Sequence, residues 1–158
     1  MYSTLVILHI LAAVSWVGGM IFLSLVLAPL VRGRKAAPEF MALFRSAALR
    51  FRPIVWTAMA ILVLTGPMLL SHRGVSVMHP SSWAGIVTVK LTLVGVLLLL
   101  TLMHDLVFGP QVSRVSAVPE PQRTTGEQVV FKTARWLPRL SLLMALAVVI
   151  AAAILARS

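Results

Sequence analysis

The sequence predicts an all-α fold, a four-helix bundle integral to a membrane. Of the 158 residues, 59% are hydrophobic and only 11% are charged, and the mean hydropathy is +0.99. A soluble domain is usually no more than about half apolar. The chain also contains four long apolar runs, and about 20 apolar residues are enough for a helix to cross the hydrocarbon core. A helix satisfies its own backbone hydrogen bonds in lipid, so these runs are expected to be helical.

We expect transmembrane helices at about residues 3–31, 54–70, 83–103 and 137–156, in a single domain that covers residues 1–158. Loops 32–53 and 111–136 would connect them on one side of the membrane. We do not expect the first run to be a cleavable signal peptide, because no basic region precedes it and it is longer than the usual apolar stretch of about 7–15 residues.

The net charge of +10 is concentrated in the two long loops. Nothing basic precedes the first run, only Arg73 lies between the second and third, and only Arg157 follows the last. Lys and Arg are enriched in cytoplasmic loops, so the pattern predicts a multi-pass protein of the cytoplasmic membrane with both termini on the outer side. Since topology accounts for the charge, a nucleic-acid partner is not expected, and the bilayer is the expected surrounding.

Residues 40–51 contain apolar side chains at spacings of three and four, with arginines beside them. This pattern predicts a short amphipathic helix on the inner leaflet or leading into the second span. A plain juxtamembrane connector would have nearly the same composition. The later segment "SAVPEPQRTTGEQVVFK" is rich in Pro, Thr and Gln and is expected to be a flexible loop.

An internal repeat is one interpretation of two similar heptapeptides. "LVLAPLV" (Leu25–Val31) and "LVFGPQV" (Leu106–Val112) share Leu, Val, Pro and Val in register. On this register His9 corresponds to Lys90, because each precedes the proline of its heptapeptide by the same interval. Two repeated helical hairpins, related by an axis along the membrane normal, would produce such a pattern. Chance similarity between apolar segments is the alternative.

His9 and Lys90 are the first candidate site residues, because an ionisable side chain inside a bilayer usually faces other helices and has a partner. Lys90 is expected about 10 Å deep in the third span. The stretch from His9 to Arg32 is almost as long as the stretch from Lys90 to Arg114, which places the two side chains at similar depths. They could approach each other or a common ligand. Snorkelling of Lys90 and a backbone-bonded interfacial His9 are the alternatives.

The third span presents a second polar position. Lys90, Leu97, Thr101 and His104 follow helical spacing, and His104 lies roughly 21 Å beyond Lys90 along the axis. His104 and Asp105 together could bind a metal ion or handle a proton. An interfacial cap, in which Asp105 pairs with a loop arginine, is the alternative.

The outer loop "GPMLLSHRGVSVMHPSSW" concentrates methionine and histidine. Its possible ligands are Met68, His72, Met78 and His79. Thioether and imidazole ligands suit Cu(I), and the chain has no cysteine that could provide a softer donor. With His9 near the same surface, these groups could form a copper site. A polar turn with two exposed histidines is the alternative.

Trp16 lies one heptad after His9, on about the same helix face, and Gly18-Gly19 would allow close approach of a neighbouring helix. Trp16 could therefore line whatever His9 contacts. No phosphate loop, paired carboxylates or nucleophilic serine motif is found in the sequence, and it has only four acidic residues. This composition favours a non-enzymatic protein.

Three stretches resemble the copper-resistance D (CopD) membrane family and the related HemJ-type protoporphyrinogen oxidases. They are "LHILAAVSWVGGMIF", "FRSAALRFRPIVWTAMAILVLTG" and "WAGIVTVKLTLVGVLLLL". The resemblance to CopD implies copper movement or tolerance at the inner membrane. The resemblance to HemJ implies a b-type haem protein in which His9 and Lys90 match the functional positions. The chain has "LMHDL" where HemJ proteins usually have Tyr-His, which favours the CopD side.

Copper handling is therefore the leading hypothesis. The possible copper ligands on the outer side are His9, Met68, His72, Met78 and His79, and His104 and Asp105 would form an inner site. The first alternative is a haem b redox protein, in which His9 is an axial ligand, Lys90 pairs with a propionate, and Trp16 packs on the porphyrin. The second is a structural or assembly subunit. A homo-oligomer or a membrane partner protein is compatible with each hypothesis.

Overall fold

The computed structural model describes residues 1–32, 38–76, 78–115 and 122–157. Within them the chain forms four long helices and no strands. Helix α1 covers residues 2–32, and helix α2 is Pro38–His72. A short 3₁₀ turn, Pro80–Ser82, precedes helix α3 over residues 85–115, and helix α4 is Thr125–Arg157. The prediction of an all-α fold is confirmed.

All four helices are long and apolar enough to cross a membrane. Many large apolar side chains remain exposed, among them Leu64 at 68% and Leu143 at 65%. Apolar surface on this scale would be unfavourable in water and is favourable in lipid. The chain is a multi-pass membrane protein, whereas the sidedness of its termini stays a prediction.

The helices extend beyond the apolar runs from which they were predicted. The amphipathic stretch 40–51 is helical as expected and forms the first turns of α2 rather than a separate element. Pro53 lies inside this helix and lacks the N–H that would bond to Leu49. The loop sequences 33–37 and 116–121 lie outside the described residues.

Helix α4 begins well before its apolar run because a capping box fixes its first turn. Thr124 donates its backbone N–H to Glu127 Oε2 at 2.7 Å, and the backbone N–H of Glu127 points to Thr124 Oγ1 at 3.4 Å. This reciprocal pairing satisfies donors that a helix start leaves without intrahelical partners. Part of the predicted loop 111–136 is therefore the amino-terminal extension of α4.

Helices α1 and α3 each contain a π-helical segment at the same position of the predicted repeat. The segments are Phe22–Leu27 and Met103–Phe108, and Pro29 and Pro110, the prolines of the two heptapeptides, follow them. A proline ring crowds the carbonyl four residues before it. The wider π turn, with i→i+5 bonding, provides room for that ring. The shared geometry supports the duplication, which stays a prediction.

The chain divides into two compact units, Met1–Thr88 and Val89–Ser158. In the first unit α1 packs along α2. Small residues allow this close approach: a Cβ built at Gly19 would overlap the ring of Phe51. In the second unit the π-helical segment and last turns of α3 contact α4. The buried face of α4 includes Leu137, Ala145 and Ala151.

We predict that Gly19→Ala destabilises the first unit, because the added methyl group requires the Phe51 ring to move. Overpacking of this kind costs about 1–3 kcal/mol. Gly18→Ala is the matched control, since no described atom lies within 4 Å of a Cβ built there. Thermal unfolding in detergent would measure both variants. Adding Phe51→Ala should remove most of the Gly19→Ala cost, and equal costs in the two backgrounds would contradict this packing.

Candidate functional site

Polar and aromatic side chains meet in successive layers along the seam between α1 and α2. The rings of Tyr2 and His72 lie 5.4 Å apart between centroids. One heptad further along α1, His9 Nδ1 lies 2.7 Å from Thr65 Oγ1, and Thr65 is one heptad before His72. The two helices are antiparallel, so a step of seven residues along each produces the next layer.

The His9–Thr65 hydrogen bond has a defined direction. Thr65 Oγ1 lies 2.6 Å from the carbonyl oxygen of Ile61, to which its hydroxyl donates. A hydroxyl has one proton, so Thr65 can only accept from His9. His9 Nδ1 therefore carries a proton, and Nε2 carries the lone pair when the imidazole is neutral. This is the tautomer that a metal-binding histidine needs for ligation through Nε2.

His9 is half-buried, between a buried threonine and a glycine of α2. Thr65 is buried, with 6% of its surface exposed. A Cβ built at Gly66 would lie 3.7 Å from His9 Cε1, so the glycine backbone lies beside the imidazole edge. The next layer along the seam contains Trp16 and Ala58, both buried. Trp16 lies one heptad after His9 in α1, and its role beside His9 stays a prediction.

His72 is hydrogen-bonded within its own helix, whereas His9 is bonded across the seam. Its Nδ1–H donates to the carbonyl oxygen of Met68 at 2.8 Å, which again leaves the lone pair of the neutral ring on Nε2. The layers of His72 and His9 are about 10 Å apart along the helix axis. Among the described residues, no three His, Asp or Glu side chains are close enough to hold one metal ion. We infer that His72 and His9 belong to separate positions.

The connection after α2 is organised around Ser76. Its carbonyl oxygen accepts a hydrogen bond from Trp83 Nε1 at 2.8 Å, and its Oγ lies 3.2 Å from His79 Nδ1. Met78 follows it and is 87% exposed. Beside this turn lies an open cavity of about 460 Å³. Its lining includes Met68 and Ser76, the hydrogen-bond partners of His72 and His79.

The remaining candidates lie in the second unit. Lys90 is half-buried in the sixth position of α3. His104, exposed, and Asp105, half-buried, lie within the π-helical segment Met103–Phe108. Because π turns occur often at functional sites, this position keeps His104 and Asp105 as candidates. The pairing of His9 with Lys90 stays a prediction.

Thr65 is the site residue that the sequence interpretation missed. A lone threonine in an apolar helix commonly bonds to the carbonyl four residues before it and needs no further role. Thr101 in α3 does this, with 2.8 Å between its Oγ1 and the carbonyl oxygen of Leu97. Only the antiparallel register of α1 and α2 distinguishes Thr65, and that register places it opposite His9.

The chain belongs to the copper resistance protein D family, whose model matches residues 45–155. The match includes α3, nearly all of α4 and most of α2, and therefore Thr65 and the Met and His residues that follow it. His9 lies outside the matched range. Comparison with curated proteins and with solved structures gave no significant match.

We predict that Thr65→Val changes the tautomer of His9, because the hydroxyl that accepts the Nδ1–H is removed. Thr65→Ser, which keeps a hydroxyl, should preserve the tautomer. Nitrogen-15 spectra of histidine-labelled protein at neutral pH distinguish Nδ1–H from Nε2–H directly. The valine variant should also lose about 1–3 kcal/mol of stability. An unchanged His9 spectrum in Thr65→Val would show that the threonine does not control the ring.

Proposed function

We propose that this protein handles copper within the membrane and that His9 is a copper ligand in the α1–α2 seam. Membership of the copper resistance protein D family is the observation that carries the choice of copper. The hydrogen-bond chain from His9 through Thr65 to Ile61 supports the choice of His9. It selects the imidazole tautomer whose Nε2 has a lone pair, and imidazole is a good ligand for copper.

A collecting role in this proposal falls to Met68, which lines the cavity after α2, and to His72, Met78 and His79, which follow it closely in sequence. Met68 lies on α2 one turn before His72 and lines the cavity next to Ser76. Sulfur ligands prefer Cu(I) to the harder divalent ions, and the chain has no cysteine thiolate to compete. Copper taken up by Met68, Met78, His72 or His79 would then pass about 10 Å along the seam to His9.

The polar residues of α3 have other roles in the same proposal. A protonated lysine has no lone pair, so we assign Lys90 to charge balance, by binding an anion or by releasing its proton. His104 and Asp105 follow Lys90 by roughly 21 Å along α3. They form a second copper or proton position near the other end of that helix.

We predict that His9→Ala abolishes tight Cu(I) binding and that Thr65→Val weakens it by about 10–100-fold, the usual cost of losing a hydrogen bond that orients a ligand. Thr101→Val is the matched control, because it removes the same kind of threonine-to-carbonyl bond with no histidine attached. Competition against a coloured Cu(I) chelator would measure the affinities. Equal affinities for wild type, His9→Ala and Thr65→Val would contradict the assignment of His9.

Absorption spectra of the same preparations, oxidised and reduced, test the haem alternative. An axial imidazole with a fixed Nδ1–H is equally suited to haem iron. A Soret band that shifts on reduction and disappears in His9→Ala would show that His9 binds haem b rather than copper. Metal analysis that finds copper, with no Soret band, would favour the copper proposal.

We predict a different result for the outer histidines. His72→Ala and His79→Ala should slow Cu(I) loading and leave the tight site intact, because His72 lies one layer away from His9 and His79 lies in the connection after α2. Stopped-flow loading followed by equilibrium titration separates the two effects. If His72→Ala lowered the equilibrium affinity as much as His9→Ala, the two rings would share one ion, and the layer geometry would be contradicted.

A further inference from the structure

Helix α4 has a basic and aromatic face in its amino-terminal half that the copper proposal does not use. The guanidinium carbon of Arg139 lies over the Trp136 ring, 4.7 Å from its centroid. Lys132 is one turn before Trp136, and all three side chains are exposed. At 3.6 residues per turn, Lys132, Trp136 and Arg139 lie within an arc of about 60°. They form one continuous strip, here called the Trp136 strip.

The Trp136 strip faces away from the packed side of its helix. The buried side of α4 contains Leu137, Ala145 and Leu155, which lie on roughly the opposite side of the helix at 100° per residue. Trp136 is 65% exposed. The Trp136 ring and the two cations on this side of α4 are therefore exposed to lipid rather than packed against the rest of the second unit.

The depth of the strip matches the headgroup layer. Residues 140–156 carry no charge and span about 25 Å as a helix, close to the thickness of the hydrocarbon core. Arg139 is therefore at the edge of the apolar layer, and Lys132 lies about 10 Å further out along the axis. Trp is enriched at this boundary in membrane proteins, because its ring is apolar and its N–H is polar.

We propose that the Trp136 strip binds the headgroup of an anionic phospholipid. Stacking on Trp136 holds the Arg139 guanidinium beside the ring, where its fork of N–H donors fits a phosphate. The Lys132 ammonium supplies a second charge for the same headgroup. Glu127 lies in the same region of α4 and is engaged by Thr124 through the capping box. The partner is a lipid of the surrounding bilayer that has a net negative charge.

Quenching of Trp136 fluorescence by brominated lipids tests the proposal. The chain is reconstituted in bilayers that contain brominated phosphatidylglycerol or brominated phosphatidylcholine, and the component lost in Trp136→Phe reports this ring. We expect phosphatidylglycerol to be preferred at Trp136, on the order of fivefold for each charge that takes part. In Lys132→Gln/Arg139→Gln the two brominated lipids should quench Trp136 equally, whereas Lys132→Arg should keep the preference for phosphatidylglycerol.

Arg73→Gln/Arg157→Gln is the matched control, because it also removes two positive charges, one directly after α2 and one at the last residue of α4. This control should keep the wild-type preference. If it removed the preference as fully as Lys132→Gln/Arg139→Gln, net charge alone would attract the lipid and the site would be refuted. Equal quenching of the wild-type Trp136 by the two lipids would refute it without any variant.

Discussion

The hydrogen bond between His9 and Thr65 is the constraint on which the site depends. In the hydrocarbon core a polar side chain has no water to bond to, so its protein partner determines its orientation and its protonation. The Thr65 hydroxyl donates its one hydrogen bond to the Ile61 carbonyl oxygen, so Thr65 Oγ1 accepts the bond from His9 Nδ1. One threonine hydroxyl thus determines which nitrogen of an intramembrane imidazole carries the lone pair. The chemistry proposed for His9 follows from that choice.

This hydrogen bond in turn requires close and correctly registered packing of α1 on α2. Glycines at the seam permit it: Gly66 lies beside the imidazole, and Gly19 faces the Phe51 ring. In a membrane the hydrophobic effect does not drive helices together, so small residues that allow close van der Waals contact are especially important. The same seven-residue step that aligns His9 with Thr65 keeps His72 in another layer. The packing therefore places the exposed His72 and the half-buried His9 in separate layers.

Much of the fold could be predicted from hydropathy, because a long apolar run has few alternatives to a membrane helix. The helix ends were harder to predict, because they depend on local hydrogen bonds such as those of the Thr124–Glu127 capping box rather than on hydropathy. His9 could be singled out as an ionisable residue in an apolar run. Its partner could not, because Thr65 is 56 residues away and becomes a neighbour only through the antiparallel register. The similar heptapeptides indicated a repeat, and the paired π-helical segments were beyond sequence reasoning.

X-ray absorption at the copper edge is the most direct test of the assignment of His9, because it identifies the atoms bound to the ion. The spectrum of Cu(I)-loaded wild-type protein should contain the outer-shell scattering of an imidazole ring. This scattering should decrease by one ring in His9→Ala and stay unchanged in His79→Ala when each sample is loaded with one ion. A wild-type spectrum with sulfur ligands alone, or identical imidazole scattering in wild type and His9→Ala, would contradict the account.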